Sequence, residues 1–388
     1  GSMPEVSVTS GRAVAAVLSE RVRVIASPAP RDTAVDVARG IGMMLVIYGH
    51  ILQIFFHRRA DGIFLERAYD QWVAIYGFHM PMFFILAGMA SVWRTSSIAD
   101  AARRAVALVL LALAVDLIGL AAIAVVNGMA SLPSFGDYVV NHVLRLEDFS
   151  IITPWFLVAM ALVYVAAAIV EAVPKYWKFV TVAVIVGITA GAYAGPQSFH
   201  LRALAPGLAF YLLGRWFAGT RVSLPLWLSA LLLMGALGAA HFNSGCSLPW
   251  ETSCENSELP GRFCVLMIFG YLGNLPLFFI TAVTGALGCI GISQSVALTR
   301  FAEPIAAVGR RSLDLLILNG FALVFANAVL RNHVPAIDNA AFLAVVGALT
   351  ILAHLAVLRL IQPLFDRLRA GADVLATRLL RAFPGGRA

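Results

Sequence analysis

The chain has 388 residues, 60% hydrophobic and 13% charged, with a mean hydropathy of +0.86 and a formal net charge of +7. Soluble globular domains carry about 45–50% apolar residues, so this composition excludes one and predicts an all-α polytopic membrane protein. The positive charge does not point to nucleic acid, because Lys and Arg sit in loops and tails beside apolar runs, as the positive-inside rule requires.

Residues 1–34 hold Arg12, Arg21, Arg23 and Arg31 without a long apolar core, so they read as a cytoplasmic tail and not a cleaved signal peptide. Apolar runs then predict about ten spans, near 35–56, 71–93, 105–127, 153–173, 178–195, 203–219, 223–242, 263–291, 312–330 and 340–361. With the N-terminus inside, most of the 28 Lys and Arg fall in cytoplasmic segments, which predicts both termini in the cytoplasm and a multi-pass protein of the cell inner membrane. The organisation expected is a tail over 1–34, a transmembrane domain over 35–361 and a basic amphipathic cytoplasmic tail over 362–388.

The first span buries an acid, an arginine and a histidine. Eleven residues separate Arg39 from His50, which at about 100° per residue returns almost to one face, and Asp36 falls within roughly 60° of both. Arg39 is thereby expected near the inner mouth and His50 roughly 16 Å further along the axis. Ionisable groups inside a bilayer mark functional sites by default, the plain reading being a polar stripe that serves helix packing. In the second span His79 lies at nearly the depth of His50, and Pro81 just after it is expected to bend the helix. His79 is either part of a site or a buried structural histidine. Asp116, in the third span, is considered as a partner for His50 or for another polar group.

The loop from Gly128 to Ile152 is expected to form an interfacial helix with Tyr138, Val139, Val143 and Leu146 near one face, which either roofs a site or lies on lipid. Cys246 and Cys254 fall in an outer loop and are expected to close a small disulfide, the other reading being two free thiols. Cys264 and Cys289 read as core fillers, and no Cys or His spacing suggests a metal site. Pro276, with Gly270 and Gly273, predicts a kink or tilt in the long eighth span.

Three stretches resemble the acyltransferase 3 family, most closely its fucose 4-O-acetylase-related branch. The first is Arg39-x10-His50 with Asp36 before it and the Gly49-His50 pair. The second runs from Phe78-His79-Met80-Pro81 to Phe84, followed by Ala87-Gly88. The third, weaker, joins Pro154-Trp155-Phe156-Leu157 to Leu213-Gly214-Arg215. Two departures stand out. Adjacent Arg103 and Arg104 replace a spaced Arg-x-x-Arg pair, and Asn319 stands where relatives often have a histidine.

The resemblance implies transfer of an acyl group, usually acetyl, from cytoplasmic acyl-CoA (acetyl-CoA) to a hydroxyl of a cell-envelope glycan or other acceptor. The residues agree with that direction. A polyanionic nucleotide suits Arg94, Arg103, Arg104, Arg310 and Arg311 at the inner face, which otherwise only set topology. Arg39 either guides the pantetheine arm or pairs with Asp36. His50 is the candidate general base, because an imidazole of ordinary pKa near 6.5 suits that role. The partners expected are acyl-CoA, a hydroxyl acceptor and the lipid bilayer, with a homodimer as an option. A transporter or flippase of a glycan or lipid-linked substrate is the rival reading, and a scaffold whose polar residues only join helices is a third.

Overall fold

A computed structural model describes residues 32–57, 63–91, 97–194, 199–220, 223–243, 263–333 and 335–382. The first 31 residues, Arg94, Cys246 and Cys254 thus lie outside the described residues. In chain order the helices are α1 Thr33–His57, α2 Glu66–Tyr76, α3 His79–Ser91, α4 Ile98–Asn127, α5 Pro154–Ala172 and α6 Lys178–Ala194. They continue with α7 Leu204–Thr220, α8 Leu226–Ala239, α9 Leu275–Val296, α10 Ala302–Arg310, α11 Ser312–His333 and α12 Ala340–Ala382. Among the described residues the one departure toward β structure is an isolated bridge between Leu266 and Tyr271.

The protein is all-α and polytopic: among the described residues seven helical stretches are long and apolar enough to cross a membrane, with shorter apolar helices at Leu226–Phe242 and Ser312–Ala326. α6 leaves Phe179, Val182, Val184, Val186 and Ile188 exposed, as a helix that faces lipid does. α1 is the opposite case. It packs against α2, α3, α9, α10, α11 and α12, and buries Val37, Ala38, Met43 and Leu52 completely. Its polar residues are therefore held inside the bundle.

The second span breaks, but ahead of Pro81. α2 ends at Tyr76 and α3 starts at His79, with Gly77 and Phe78 as the turn between them. Pro81 has no N–H to offer the carbonyl four residues back, so the helix loses a bond at Gly77 and re-forms beyond it. The expected kink in the eighth span is corrected more deeply. Pro276 stands in the first turn of α9, where its missing N–H costs nothing, and the Asn274 side chain caps that helix by accepting from the Leu277 N–H at 3.0 Å.

Residues 263–273, expected to be helix, are a buried irregular segment. Irregular backbone survives at membrane depth only where protein satisfies its polar groups. Here Tyr69 donates to the Phe263 carbonyl (2.9 Å), Arg202 to Phe269 (3.1 Å), Tyr193 to Gly270 (2.8 Å) and Asn243 to Leu272 (2.9 Å). Gly273, at φ 64°, closes the turn, and a Cβ there would meet Asn243 Oδ1 at 2.1 Å.

Two further differences concern the ends of elements. The last span and the tail expected from residue 362 belong to one 43-residue helix, α12, which continues through Pro363. The 128–152 loop forms a short turn at Phe135–Asp137 and then a π-helix over Tyr138–Leu144. The wider π repeat moves its contacts off the apolar face expected from a 3.6-residue period: Val143 is exposed, and the buried residue is His142.

Candidate functional site

Asp116, on α4, fixes that loop. His142 Nδ1 lies 2.7 Å from one carboxylate oxygen, and the Ser150 N–H and hydroxyl both reach the other at 2.6 Å. Asp116 therefore serves as a buried clamp on the loop and does not contact His50, which corrects that pairing. The other alternative, pairing with another polar group, is the one found, and helix geometry alone could not show the intervening loop folding back onto the acid.

The clamped loop roofs a cavity of about 320 Å3. Glu147 to Ile152 line it on one side, His50, Gln53 and Ile54 of α1 on another, and Trp155, His200 and Phe269 close the remainder. A second, narrower cavity of about 50 Å3 continues past His50 to Val46, Tyr76, His79, Phe156 and Leu316. His50, Gln53, Ile152, Trp155, Ile268 and Phe269 line both, so the imidazole stands where the two spaces meet.

His50 is nine-tenths buried, and the Asn319 side-chain amide of α11 lies 2.9 Å from its Nδ1. An amide offers both a donor and an acceptor, so it fits either neutral tautomer. As placed, the amide nitrogen Nδ2 faces Nδ1 and donates to it, which puts the ring proton on Nε2; the amide turned about its last bond offers its oxygen to Nδ1–H and reverses the tautomer. The departure noted at Asn319 is thus a contact with the candidate base. Tyr76 lies between the two histidines, its ring centroid 6.3 Å from that of His50 and 4.5 Å from that of His79. His79 Nδ1 lies 3.0 Å from the Ile75 carbonyl. A carbonyl can only accept, so Nδ1 carries the proton and Nε2 is the acceptor.

Charge near the larger cavity is shaped by burial. Burial brings His200 down to about 4, so its imidazole is neutral at neutral pH. Burial also raises the Glu147 carboxyl, with Asp148 adding to the rise and Arg145 and Arg202 opposing it.

The other expected site residues lie toward the opposite ends of these helices. Asp36 and Arg39 form an i,i+3 ion pair at 3.6 Å, and Arg39 Nη2 also donates to the Leu86 carbonyl at 3.4 Å. Neither lines the two cavities at His50. Arg103 pairs with Asp373 at 2.6 Å and Arg310 with Glu303. Arg311 reaches Asp314 (3.3 Å) and Asp366 (2.8 Å), and Arg369 reaches Asp314 (2.9 Å). The pairs made by Asp366, Arg369 and Asp373 tie α12 to α4, to Arg311 and to α11. Arg104 has no carboxylate partner among the described residues; with Arg369, Leu108, Tyr164 and Leu313 it lines a third cavity of about 420 Å3.

Glu147, Gln53, Trp155 and His200 escaped the sequence reading as site residues. Two of them had a signal: Gln53 is one turn from His50 on the same face, and Trp155 belongs to the Pro154-Trp155-Phe156-Leu157 motif. Glu147 and His200 sit in loop and short-turn segments that no periodicity places.

Comparison with known proteins adds a family. The model described as "Acyltransferase domain" matches residues 32–359. Two curated proteins, each named Nodulation protein NolL, are similar over short stretches. That of Sinorhizobium fredii is 36% identical over 83 residues, 21% of this chain and 22% of the relative. That of Mesorhizobium japonicum is 39% identical over 61 residues, 16% of each. The chain thus spans about a fifth of the length of the curated relatives it matches. No solved structure matches.

Proposed function

This chain belongs to the acyltransferase 3 family, and from that premise we propose that it is an O-acyltransferase of the cell inner membrane. It moves an acyl group, acetyl in the simplest case, from cytoplasmic acyl-CoA to a hydroxyl of a cell-envelope glycan or related acceptor. In this reading both termini are cytoplasmic, and the start of α1 and the basic end of α12 lie at the inner surface. The 128–152 loop then faces outward.

The observation that carries the reading is the position of His50 at the junction of two cavities, with its Nδ1 side held by Asn319. The larger cavity, roofed by the loop, receives the acceptor. The narrow one, between His50 and His79, receives the thioester end of the donor. With the Asn319 amide turned so that its oxygen accepts from Nδ1–H, Nε2 of His50 takes the proton of the acceptor hydroxyl as that oxygen attacks the thioester carbonyl. The C–S bond breaks, and the proton passes to the departing CoA thiolate, so charge and atoms balance. Three expected phosphate ligands, Arg103, Arg310 and Arg311, already hold carboxylates. Arg104, beside the third cavity and without a carboxylate partner among the described residues, is the better candidate for a polyanion.

Purified full-length protein incubated with labelled acetyl-CoA is expected to release CoA and pass label to an added envelope-glycan fraction. A transporter or flippase reading predicts glycan flux across vesicles that is indifferent to acyl-CoA. Flux of that kind with no label transferred overturns the proposal.

A further inference from the structure

Glu147 is 5% exposed and lines the larger cavity beside His50; among the described residues its carboxylate makes no hydrogen bond or close ion pair, and Arg145 and Arg202 act on it only at longer range. A buried carboxylate whose hydrogen-bonding capacity is unfilled costs stability, and such groups persist where a ligand completes them. The backbone reinforces the point. Leu146 and Asp148, on either side of Glu147, both adopt left-handed conformations, at φ 56° and 53°. Two consecutive-but-one non-glycine residues in that region cost stability and are kept only where the surroundings fix them. The fixing groups are present: the Glu147 N–H donates to the Asn141 carbonyl at 2.8 Å, and Asp116 clamps His142 and Ser150 around it. The loop is built to hold this one side chain in the cavity.

Resting on the transferase reading above, we infer that Glu147 is the acceptor-recognition residue, which accepts hydrogen bonds from hydroxyls next to the one acylated and selects an uncharged sugar ring. A carboxylate has lone pairs for two adjacent hydroxyls at once. Trp155 and Phe149 supply apolar faces for the C–H side of such a ring, and about 320 Å3 falls within the range of roughly 300–1,000 Å3 usual for small-ligand sites. Asp148 also lines the space and, among the described residues, no Lys or Arg does. An anionic sugar would therefore meet two carboxylates with no cation among the lining side chains to pair with.

The test uses the purified full chain in nanodiscs with labelled acetyl-CoA and two soluble probes, a methyl glucoside and a methyl glucuronide. The neutral probe is expected to accelerate CoA release and to become labelled, the anionic one to do neither. Glu147→Gln is expected to raise KM for the neutral probe about tenfold with a smaller fall in kcat, and to narrow the gap between the two probes. Because Gln removes a buried unpartnered charge, its melting temperature is expected to equal or exceed that of the parent, so weak activity does not reflect a lost fold. Unchanged KM in Glu147→Gln overturns the inference, and so does equal use of both probes by the parent. Failure of the neutral probe to accelerate CoA release overturns it too: His50-dependent hydrolysis of acetyl-CoA then keeps the transferase reading, whereas no turnover of acetyl-CoA removes that reading as well.

Discussion

His50→Ala is expected to lower acyl transfer by about 10²–10⁴-fold, the range that a general base contributes, while leaving a folded protein. The imidazole borders two cavities, so truncation enlarges an existing space and does not empty a packed core. The amide of Asn319 then loses its partner, a cost of about 1–3 kcal/mol when no water replaces it and less beside a cavity. Asn319→Leu is expected to act through His50. The ring loses the contact that orders it, and transfer falls by roughly ten- to a hundredfold, the size of effect seen when an outer partner of a site imidazole is removed. Turnover and thermal melting measured on the same preparations separate the two cases. Normal turnover in His50→Ala ends the base assignment.

The second large effect concerns the fold. α3 and α7 cross where two glycines meet. A Cβ on Gly88 would come to 1.9 Å of the Tyr211 carbonyl oxygen, and one on Gly214 to 1.9 Å of the Ile85 carbonyl oxygen. Both obstacles are backbone, so no side-chain rotation relieves them, and the helices must move apart. Close approach at small residues is how membrane helices gain packing in the absence of a hydrophobic driving force between them. Gly214→Leu is therefore expected to cost about 3 kcal/mol or more, seen as loss of the monodisperse purified species or a fall in melting temperature. Gly88→Ala, which meets the same backbone with one methyl, is expected to act in the same direction. A melting temperature unchanged in either variant contradicts the crossing described.

These glycines show what a motif can mean. Ala87-Gly88 and Leu213-Gly214-Arg215 supported the family resemblance, and the structure gives them a packing reason: they let two backbones touch. Arg215 adds an ion pair to Glu171 at 3.0 Å. The site motifs divide in the same way. Arg39 and Asp36 pair with one another near the start of α1, whereas His50 borders the cavities.

The sequence made the helical content and the importance of α1 legible, because a helix of regular period carries its polar residues on one face and lipid penalises each of them. It gave no access to what depends on pairs far apart in the chain. Asn319 lies 269 residues from His50, and nothing in either segment alone points to the other. Pro276 was misread because a proline that starts a helix and one that kinks it look alike within an apolar run; the distinction lay in Asn274, a capping residue just before it. Residues 263–273 read as helix for a related reason. Their apolar composition reports burial, while the side chains that satisfy their irregular backbone come from Tyr69, Tyr193, Arg202 and Asn243, on other elements.

The central claim is that donor and acceptor meet at His50 from opposite cavities. Its most direct test is a structure of the full chain with an acetyl-CoA analogue whose thioester is replaced by an unreactive thioether. The account predicts the analogue's sulfur in the narrow cavity between His50 and His79, with its phosphates beside Arg104. An analogue seated in the loop-roofed cavity, or with its sulfur out of reach of His50, contradicts it.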